Sequence, residues 1–524
     1  MKLNYKRTIY VGFAFFLILA FWQAYDSIIP LILTNKFGMS QFWSGAIMAL
    51  DNILALFLLP LFGTISDKFL GKSGRRTPFI RTGTILAVVL LMLLSLADLK
   101  QLDNIDKVSA VDDPAALSII YDSQADKEIV KPNKESATLV EEHFVLSQEI
   151  SKEDFVAINS VIVDENGKSV TNPDYVNYVV PARQAYIWEL TSANPSALII
   201  FVCVLFLLLI AMAIFRSPAV ALMPDVTAKP LRSKANAVIN LMGYVGGILV
   251  LVLGKVFATD ATKNAMMSYV GYFGAVAVLM LVALIVFLVK VKEPAWAKEM
   301  QEEAVAMEEA EAAPQGETVK RKLTRSEMTS LILILSSVIL WYFGYNAVSS
   351  KYSVYASNLL GKDFNMTLMI GTGAAIVSFV PVGILSSKIG RKKAILMGVA
   401  LLAIAFALAQ FVTAETSVVF MIAIFVLAGF AWATINVNSF PMVVELCSDG
   451  DVGKYTGYYY TASMAAQTLT PMISGYLMDK LGMGILFPYA AIFVAGSFVT
   501  MLFVRHGDVK VEAKKGIEAL AVED

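Results

Sequence analysis

Three ionisable side chains stand inside long apolar runs of this chain. Asp26 closes the stretch Phe21-Trp22-Gln23-Ala24-Tyr25-Asp26, Asp51 sits beside Asn52 in a second run, and Arg216 falls in the lower part of a fourth. Arg81 opens the third run, and Lys351 lies toward the outer end of a seventh. On membrane-insertion scales such a residue costs about 2.5–3.5 kcal/mol, so each is a functional candidate. A carboxylate near a guanidinium is equipped to carry a proton. The opposite charge favours ionisation while burial opposes it, and a group balanced between the two can take and release a proton. Asp26 is the first candidate for a proton-coupling site, Asp51 the second, with Arg216 as the partner charge. The alternative for each acid is a hydrogen-bonded structural carboxylate tying two helices together. Both histidines, His143 and His506, lie outside the apolar runs, and the second half has no acid deep in any of them.

A second set of residues could bind a solute. Trp22, Gln23 and Tyr25 in the first run and Trp341, Tyr345 and Asn346 in the seventh fall near mid-run, with Asn52, Trp432, Asn436, Tyr459 and Gln467 as further candidates. Flat aromatic faces with a few amides suit a polyhydroxylated ring. Aromatic residues in such runs also pack or face lipid. The amides Gln23, Asn346 and Asn436 are the stronger candidates, because an unpaired amide in hydrocarbon is costly.

These residues need membrane-spanning helices to position them. The chain is 57% hydrophobic and 16% charged, with mean hydropathy +0.66. Soluble domains carry about 25% charged residues, so this is a membrane protein. A spanning helix takes about 20 mostly apolar residues. Twelve such stretches are expected, roughly at 8–34, 42–66, 80–97, 195–223, 234–258, 267–290, 327–350, 366–387, 393–413, 417–440, 455–478 and 484–504. Met1–Arg7 and the run after it read as a first span rather than a cleaved leader. Cys203 and Cys447 imply no disulfide framework.

An internal repeat organises the spans. Gly63-Thr-Ile-Ser-Asp67-Lys68, followed by Gly74-Arg75-Arg76, is echoed by Gly383-Ile-Leu-Ser-Ser-Lys388-Ile-Gly390-Arg391. Asp26 to Gly63 is 37 residues, and Asn346 to Gly383 is also 37. Pro224-Asp225 with Arg232 has a counterpart in Pro441, Glu445 and Lys454. Two parallel halves of six spans follow. The basic loops place these motifs and both termini in the cytoplasm. Asp225 and Glu445 are expected to pair with motif arginines, either as a lock on the cytoplasmic side or as a static clamp on topology.

Gly63 to Asp225 spans 162 residues but Gly383 to Glu445 only 62, so the first half carries about one hundred extra residues. The polar, acidic stretch 98–194 accounts for them and belongs outside. Phe155–Val163 and Ser169–Val179 read as strands around Glu165-Asn166-Gly167. The expected division is 1–97 (spans 1–3), 98–194 (insert), 195–290 (spans 4–6), 291–326 (linker), 327–504 (spans 7–12) and 505–524 (tail).

Gly63-x-x-x-Asp67-Lys68 with Gly74-Arg75-Arg76 resembles the loop signature of the major facilitator superfamily. Gly74-Arg-Arg-Thr-Pro-Phe-Ile80 and Arg216-Ser-Pro218 through Pro224-Asp225, with Arg232, are similar to sucrose–proton symporters and the wider glycoside–cation symporter group. Two features depart from that group: the external insert, and a first span without the Gly-Asp pattern of melibiose-type sodium symporters. The resemblance implies an all-α membrane protein of twelve spans in two six-helix bundles, to which this chain adds a small insert that its own residues read as partly β. It implies a cell-membrane importer of a glycoside or oligosaccharide such as sucrose or maltose, working as a monomer by proton symport and alternating access. Gly63, Asp67, Gly74, Arg75, Arg76, Asp225, Arg232, Gly383, Gly390, Arg391 and Glu445 would act in gating. No cofactor, metal or nucleic acid is expected, and sodium is a less favoured coupling ion. With no P-loop or catalytic triad, an enzyme is not expected. The alternatives are a proton-coupled exporter of drugs or metabolites and a non-transporting sensor.

Overall fold

The computed structural model describes residues 3–69, 71–132, 142–163, 167, 169–228, 231–310, 323–413, 415–444, 446 and 452–507. Glu445, Cys447, Glu165, Asn166, linker residues 311–322 and tail residues 508–524 lie outside them. The chain is helical, and among the described residues ten helices are long and apolar enough to cross a membrane. In the first half they are span 1 (Tyr5–Leu31, extended by a π turn over Ile32–Lys36), span 2 (Gln41–Met48 and Leu50–Lys68), span 3 (Thr77–Asn104), span 4 (Ser196–Asp225), span 5 (Arg232–Val256) and span 6 (Val270–Lys290). The second half contributes span 7 (Arg325–Val354, with a π turn over Tyr355–Leu360), span 9 (Arg391–Ala409), span 10 (Val418–Val444) and span 12 (Leu486–Leu502). Phe364–Ile389 and Val452–Leu481, 26 and 30 residues long, are spans 8 and 11.

Local chemistry sets the ends. Asn4 caps span 1, Ser40 caps span 2 and Asp363 caps span 8. Thr324 and Glu327 form a reciprocal capping box at span 7. Span 7 stops at Gly361 in the left-handed region (φ 56°).

The repeat is visible in the packing. Span 1 packs on 5 and 6 as span 7 packs on 11 and 12, and spans 2 and 3 pack on 4 as spans 8 and 9 pack on 10. The halves meet through pairs 1–7, 2–11 and 5–8. The loop from Lys68 to Thr77, the linker helix Glu293–Ala310 and the residues near both ends of the chain share one side, called here the loop side. Arg7 pairs with Glu299, and His506 with Ser330 at 3.0 Å.

The insert occupies the other side, and its strands are shorter than the expected pair. It is mainly helical, with Pro114–Gln124, Lys152–Val156 and Val180–Ala193 packed on a core of its own that includes Val108, Ile120, Phe155 and Val179. Only Val161–Val163 and Ser169–Thr171 of the expected hairpin pair as strands; Phe155 is helical and Tyr175–Val179 form a π turn. A second short hairpin joins Glu128–Val130 to His143–Val145. The β-branched residues that read as long strands are spent as buried helix positions instead. Span 3 continues to Asn104, past the expected boundary at 97. The reason is Asp98, which pairs with Lys36 at 2.6 Å with both side chains fully buried. Asp98 also accepts from the Tyr269 backbone at 3.3 Å, and the Lys36 ammonium lies 4.4 Å from the Tyr269 ring centre.

Candidate functional site

The spans bring the three charged residues of the first half into one cluster. Asp26 and Asp51 interact electrostatically with each other and with Arg216. Span 1 presents Trp22 and Asp26 one turn apart, and the Arg216 guanidinium lies 5.4 Å from the Trp22 ring centre. Asn52 donates to Asp51 at 2.7 Å, and Gln23 donates to Ser27 at 3.0 Å. Two carboxylates therefore share one guanidinium in a low-dielectric setting, where an uncompensated charge is costly.

The second half supplies an aromatic face. Tyr345 stacks on Trp432 with ring centres 3.5 Å apart and planes 5° apart, and Tyr342 meets the same Trp432 edge-on at 5.5 Å. Tyr345 lies within electrostatic reach of Asp26 and of Tyr244, a span 5 residue missed from sequence. Two buried donors, Trp22 Nε1 from the first half and Asn346 Nδ2 from the second, have no hydrogen-bond partner among the described residues. Unsatisfied buried donors are rare and call for an explanation.

Other expected binding residues are placed differently. Trp341 is fully buried in the core of the second half and offers no face to a solute. Tyr25 is 3% exposed and turns its hydroxyl to the Met48 carbonyl at 3.4 Å. Asn436 and Gln467 are half-buried.

On the loop side, Arg76 is the hub, not Arg75. Its guanidinium binds Asp67 and Ser66, and its Nε donates to Asp225 at 2.8 Å. Arg75 is over one-third exposed and only 3.8 Å from Asp225. Burial would lower the Arg76 pKa, but the hydrogen bonds and charges of Asp225 and Asp67 outweigh it and raise the pKa. These pairs lie wholly within the first half, joining spans 2, 3 and 4. Gly63 makes the arrangement possible, since a Cβ there would press on Ser217 of span 4. Arg232 donates instead to the Thr227 and Pro224 carbonyls at 3.2 and 2.9 Å, capping the end of span 4. In the second half, Gly390 (φ 90°) turns the chain into span 9, whose N-terminus begins at Arg391, and the Gly383 carbonyl accepts from Ser386 at 3.1 Å. Lys392 donates to the Leu502 and Val504 carbonyls at 2.9 and 2.6 Å.

A belt of polar contacts joins the halves on the insert side. Asn358 donates to Asn35, linking the π turns of spans 7 and 1. Lys255 pairs with Asp363, and Asn365 donates to Thr259 at 2.9 Å and Asp260 at 3.2 Å, linking spans 5 and 8. Lys351 and Asp479 both reach Gln41 of span 2. Toward the loop side span 2 is far less enclosed: of Leu50–Lys68 only Ala55 and Ser66 are buried. This belt was hard to foresee, since its polar residues sit at span ends, where polar residues are ordinary.

Two six-helix halves around a buried charged cluster, closed on one side, define a multi-pass membrane transporter. The Major Facilitator Superfamily model matches residues 185–380 and 352–521, and the chain belongs to that superfamily. It is 26% identical over 123 residues to the MFS-type transporter ppzB of Metarhizium rileyi (strain RCEF 4871), a match covering 24% of this chain and 25% of that one. The chain thus spans about a quarter of the length of that relative. Among solved structures, a D-xylose–proton symporter is similar at TM-score 0.56 and 15% identity, covering 96% of this chain and 99% of that one. The inward-open xylose transporter XylE of E. coli is similar at TM-score 0.54 and 13% identity, covering 98% of each. A bacterial homologue of the iron transporter ferroportin, inward-facing, reaches 0.55 at 11% identity, covering 96% and 99%. At these identities the likeness is one of fold.

Proposed function

We propose that this transporter imports a sugar, a glycoside or oligosaccharide of the sucrose or maltose kind, together with a proton, by alternating access. One observation carries the reading: unpaired buried donors from opposite halves, Trp22 Nε1 and Asn346 Nδ2, accompany the Tyr345–Trp432 stack and the Asp26–Asp51–Arg216 cluster. Hydroxyl oxygens of a sugar satisfy such donors, and a ring C–H face suits the aromatic stack. In this reading Asp26 carries the proton, with Asp51 as its neighbour and Arg216 as the charge that favours release. The stretches Gly74–Ile80 and Arg216–Asp225, which resemble the glycoside–cation symporter group, support the same substrate class. The D-xylose–proton symporter among the structural neighbours is consistent with it. The basic loop faces the cytoplasm in this scheme, so closure on the insert side corresponds to an inward-facing state.

The test is direct. Purified protein is screened against a sugar panel by thermal shift, and hits are followed by uptake into vesicles under a pH gradient. Asp26→Asn should abolish accumulation driven by the gradient while leaving sugar exchange. If Asp26→Asn still concentrates sugar, the coupling site is elsewhere, with Asp51 next. If no sugar shifts the wild-type protein, the substrate class is wrong.

A further inference from the structure

A carboxylate of the second half caps a helix of the first. Asp479, near the insert-side end of span 11, accepts the Gln41 N–H at 2.7 Å through Oδ1 and the Phe42 N–H at 2.8 Å through Oδ2. These are among the donors that the first turn of a helix leaves without intrahelical partners. The positive end of the span 2 dipole faces the same carboxylate. Lys351 of span 7, fully buried, donates to the Gln41 carbonyl at 2.6 Å. Gln41 is therefore gripped at both its N–H and its C=O by two spans of the other half.

The packing beneath is equally committed. A Cβ at Gly45 would run into the Pro471 carbonyl, and one at Gly475 would run into that of Gln41. The gripped piece, Gln41–Met48, is a separate short helix, broken at Ala49 from Leu50–Lys68. At the break, the Met48 carbonyl accepts from Tyr25 of span 1, and Asp51 lies three residues beyond Met48. One short rod therefore has the inter-half grip at one end and the charged cluster at the other.

We propose that Asp479 is the latch of the insert-side gate: opening that side requires it to release the first turn of span 2, with Lys351 letting go of Gln41 in the same step. Asp479 acts as a positioning residue that sets the balance between the two closed sides and touches neither sugar nor proton. The proposal rests on the alternating-access reading, but its test needs no substrate.

Full-length protein without Cys203 and Cys447 is spin-labelled at Ile199→Cys and Phe411→Cys, exposed positions at the insert-side ends of spans 4 and 9. Their distance distribution is measured in nanodiscs. Asp479→Asn leaves one acceptor for two amides and should raise the separated population about tenfold or more, with Asp479→Glu partly restoring the wild-type distribution. Unchanged distances in a folded Asp479→Asn protein would overturn the latch and leave a static cap. A second measurement covers a variant that fails to fold. A disulfide between Gln41→Cys and Asp479→Cys should erase the separated population, and reduction should restore it. If the oxidised protein still samples separated distances, the junction does not gate. Loss of sugar uptake with normal distances would count against the sugar reading and not for the latch.

Discussion

Glu293 of the linker helix stands where a side chain at Gly74 would stand. Gly74 holds φ 103° in the loop between spans 2 and 3, and the carboxylate packs directly over it. From there Oε1 accepts the Arg75 and Arg76 N–H groups at 2.6 and 2.8 Å, and Oε2 accepts the Thr77 N–H and hydroxyl, both at 2.7 Å. The loop glycine serves a helix that starts more than two hundred residues later.

Removing that carboxylate takes the partner from two buried amides, Arg76 and Thr77, and from the half-buried amide of Arg75. Glu293→Ala should destabilise the protein by about 2–4 kcal/mol, since each buried donor left unsatisfied costs about 1–3 kcal/mol. Gly74→Ala should cost a comparable amount, since it brings both left-handed strain and a clash with Glu293. Thermal unfolding of the two variants and the double mutant should show strong non-additivity, because both changes break one contact. Additive losses would mean that the two residues act separately.

Arg76 and Arg75 are adjacent but unequal. Arg76 ties Asp67, Ser66 and Asp225 together, and a lysine offers no planar fork to do so. Arg76→Lys should therefore lower the midpoint of thermal unfolding clearly, whereas Arg75→Lys should change stability by less than about 0.5 kcal/mol, as at most exposed positions. Equal effects would mean that Arg75 shares the clamp with Arg76.

How far the sequence reached follows from the same residues. The repeat and the charged cluster were legible because Asp26, Asp51 and Arg216 are costly exceptions in apolar runs, and exceptions keep their meaning without coordinates. Trp341 was not legible: an aromatic side chain fits the core of a bundle as well as a binding face, and hydropathy does not tell which way it points. Lys36 and Asp98 were lost because a span was taken to end where its apolar run ends, although a buried pair extends the helix. Gln41–Asp479 and Gly74–Glu293 join residues hundreds of positions apart, and one sequence carries no local sign of either. In the insert, short runs rich in valine and isoleucine satisfy strand and buried-helix patterns alike.

Asp260, beyond the end of span 5, gives the insert-side belt a pH dependence. Burial and then the Asp363 carboxylate raise its pKa above the usual carboxylate range, against the opposing charge of Lys255. A raised pKa means that the folded state binds this proton more tightly than the unfolded chain. The contribution is present at low pH and is lost as pH rises through the raised folded pKa. Asp260→Asn retains an acceptor for Asn365 and removes the repulsion from Asp363. Its melting temperature should exceed that of the wild type at neutral pH and converge with it in acid. A variant less stable than the wild type at neutral pH would show that the pairing with Lys255, 3.5 Å away, outweighs both effects.

The insert should set the same balance from outside the bundle. It is anchored to the first half: Gln184 donates to the Met39 carbonyl at 3.0 Å, and Gln101 donates to Thr191 at 3.0 Å and to the Lys36 carbonyl at 2.7 Å. It also touches the second half, where Met483 N–H donates to the Pro132 carbonyl at 2.7 Å and Thr171 donates to the Gly361 carbonyl at 3.1 Å. Thr171 meets Thr262 of the first half as well, at 3.0 Å, so one hydroxyl bridges the loops after spans 5 and 7. Thr171→Val keeps the shape and deletes the hydroxyl, at about 0.5–1.5 kcal/mol per hydrogen bond lost. The fold should survive, because neither half depends on Thr171 for its core. The insert-side distance between Ile199 and Phe411 should shift toward separation by about three- to tenfold in population. Uptake should continue with altered rate and affinity. A distribution identical to the wild type would leave the insert as a passenger of the first half.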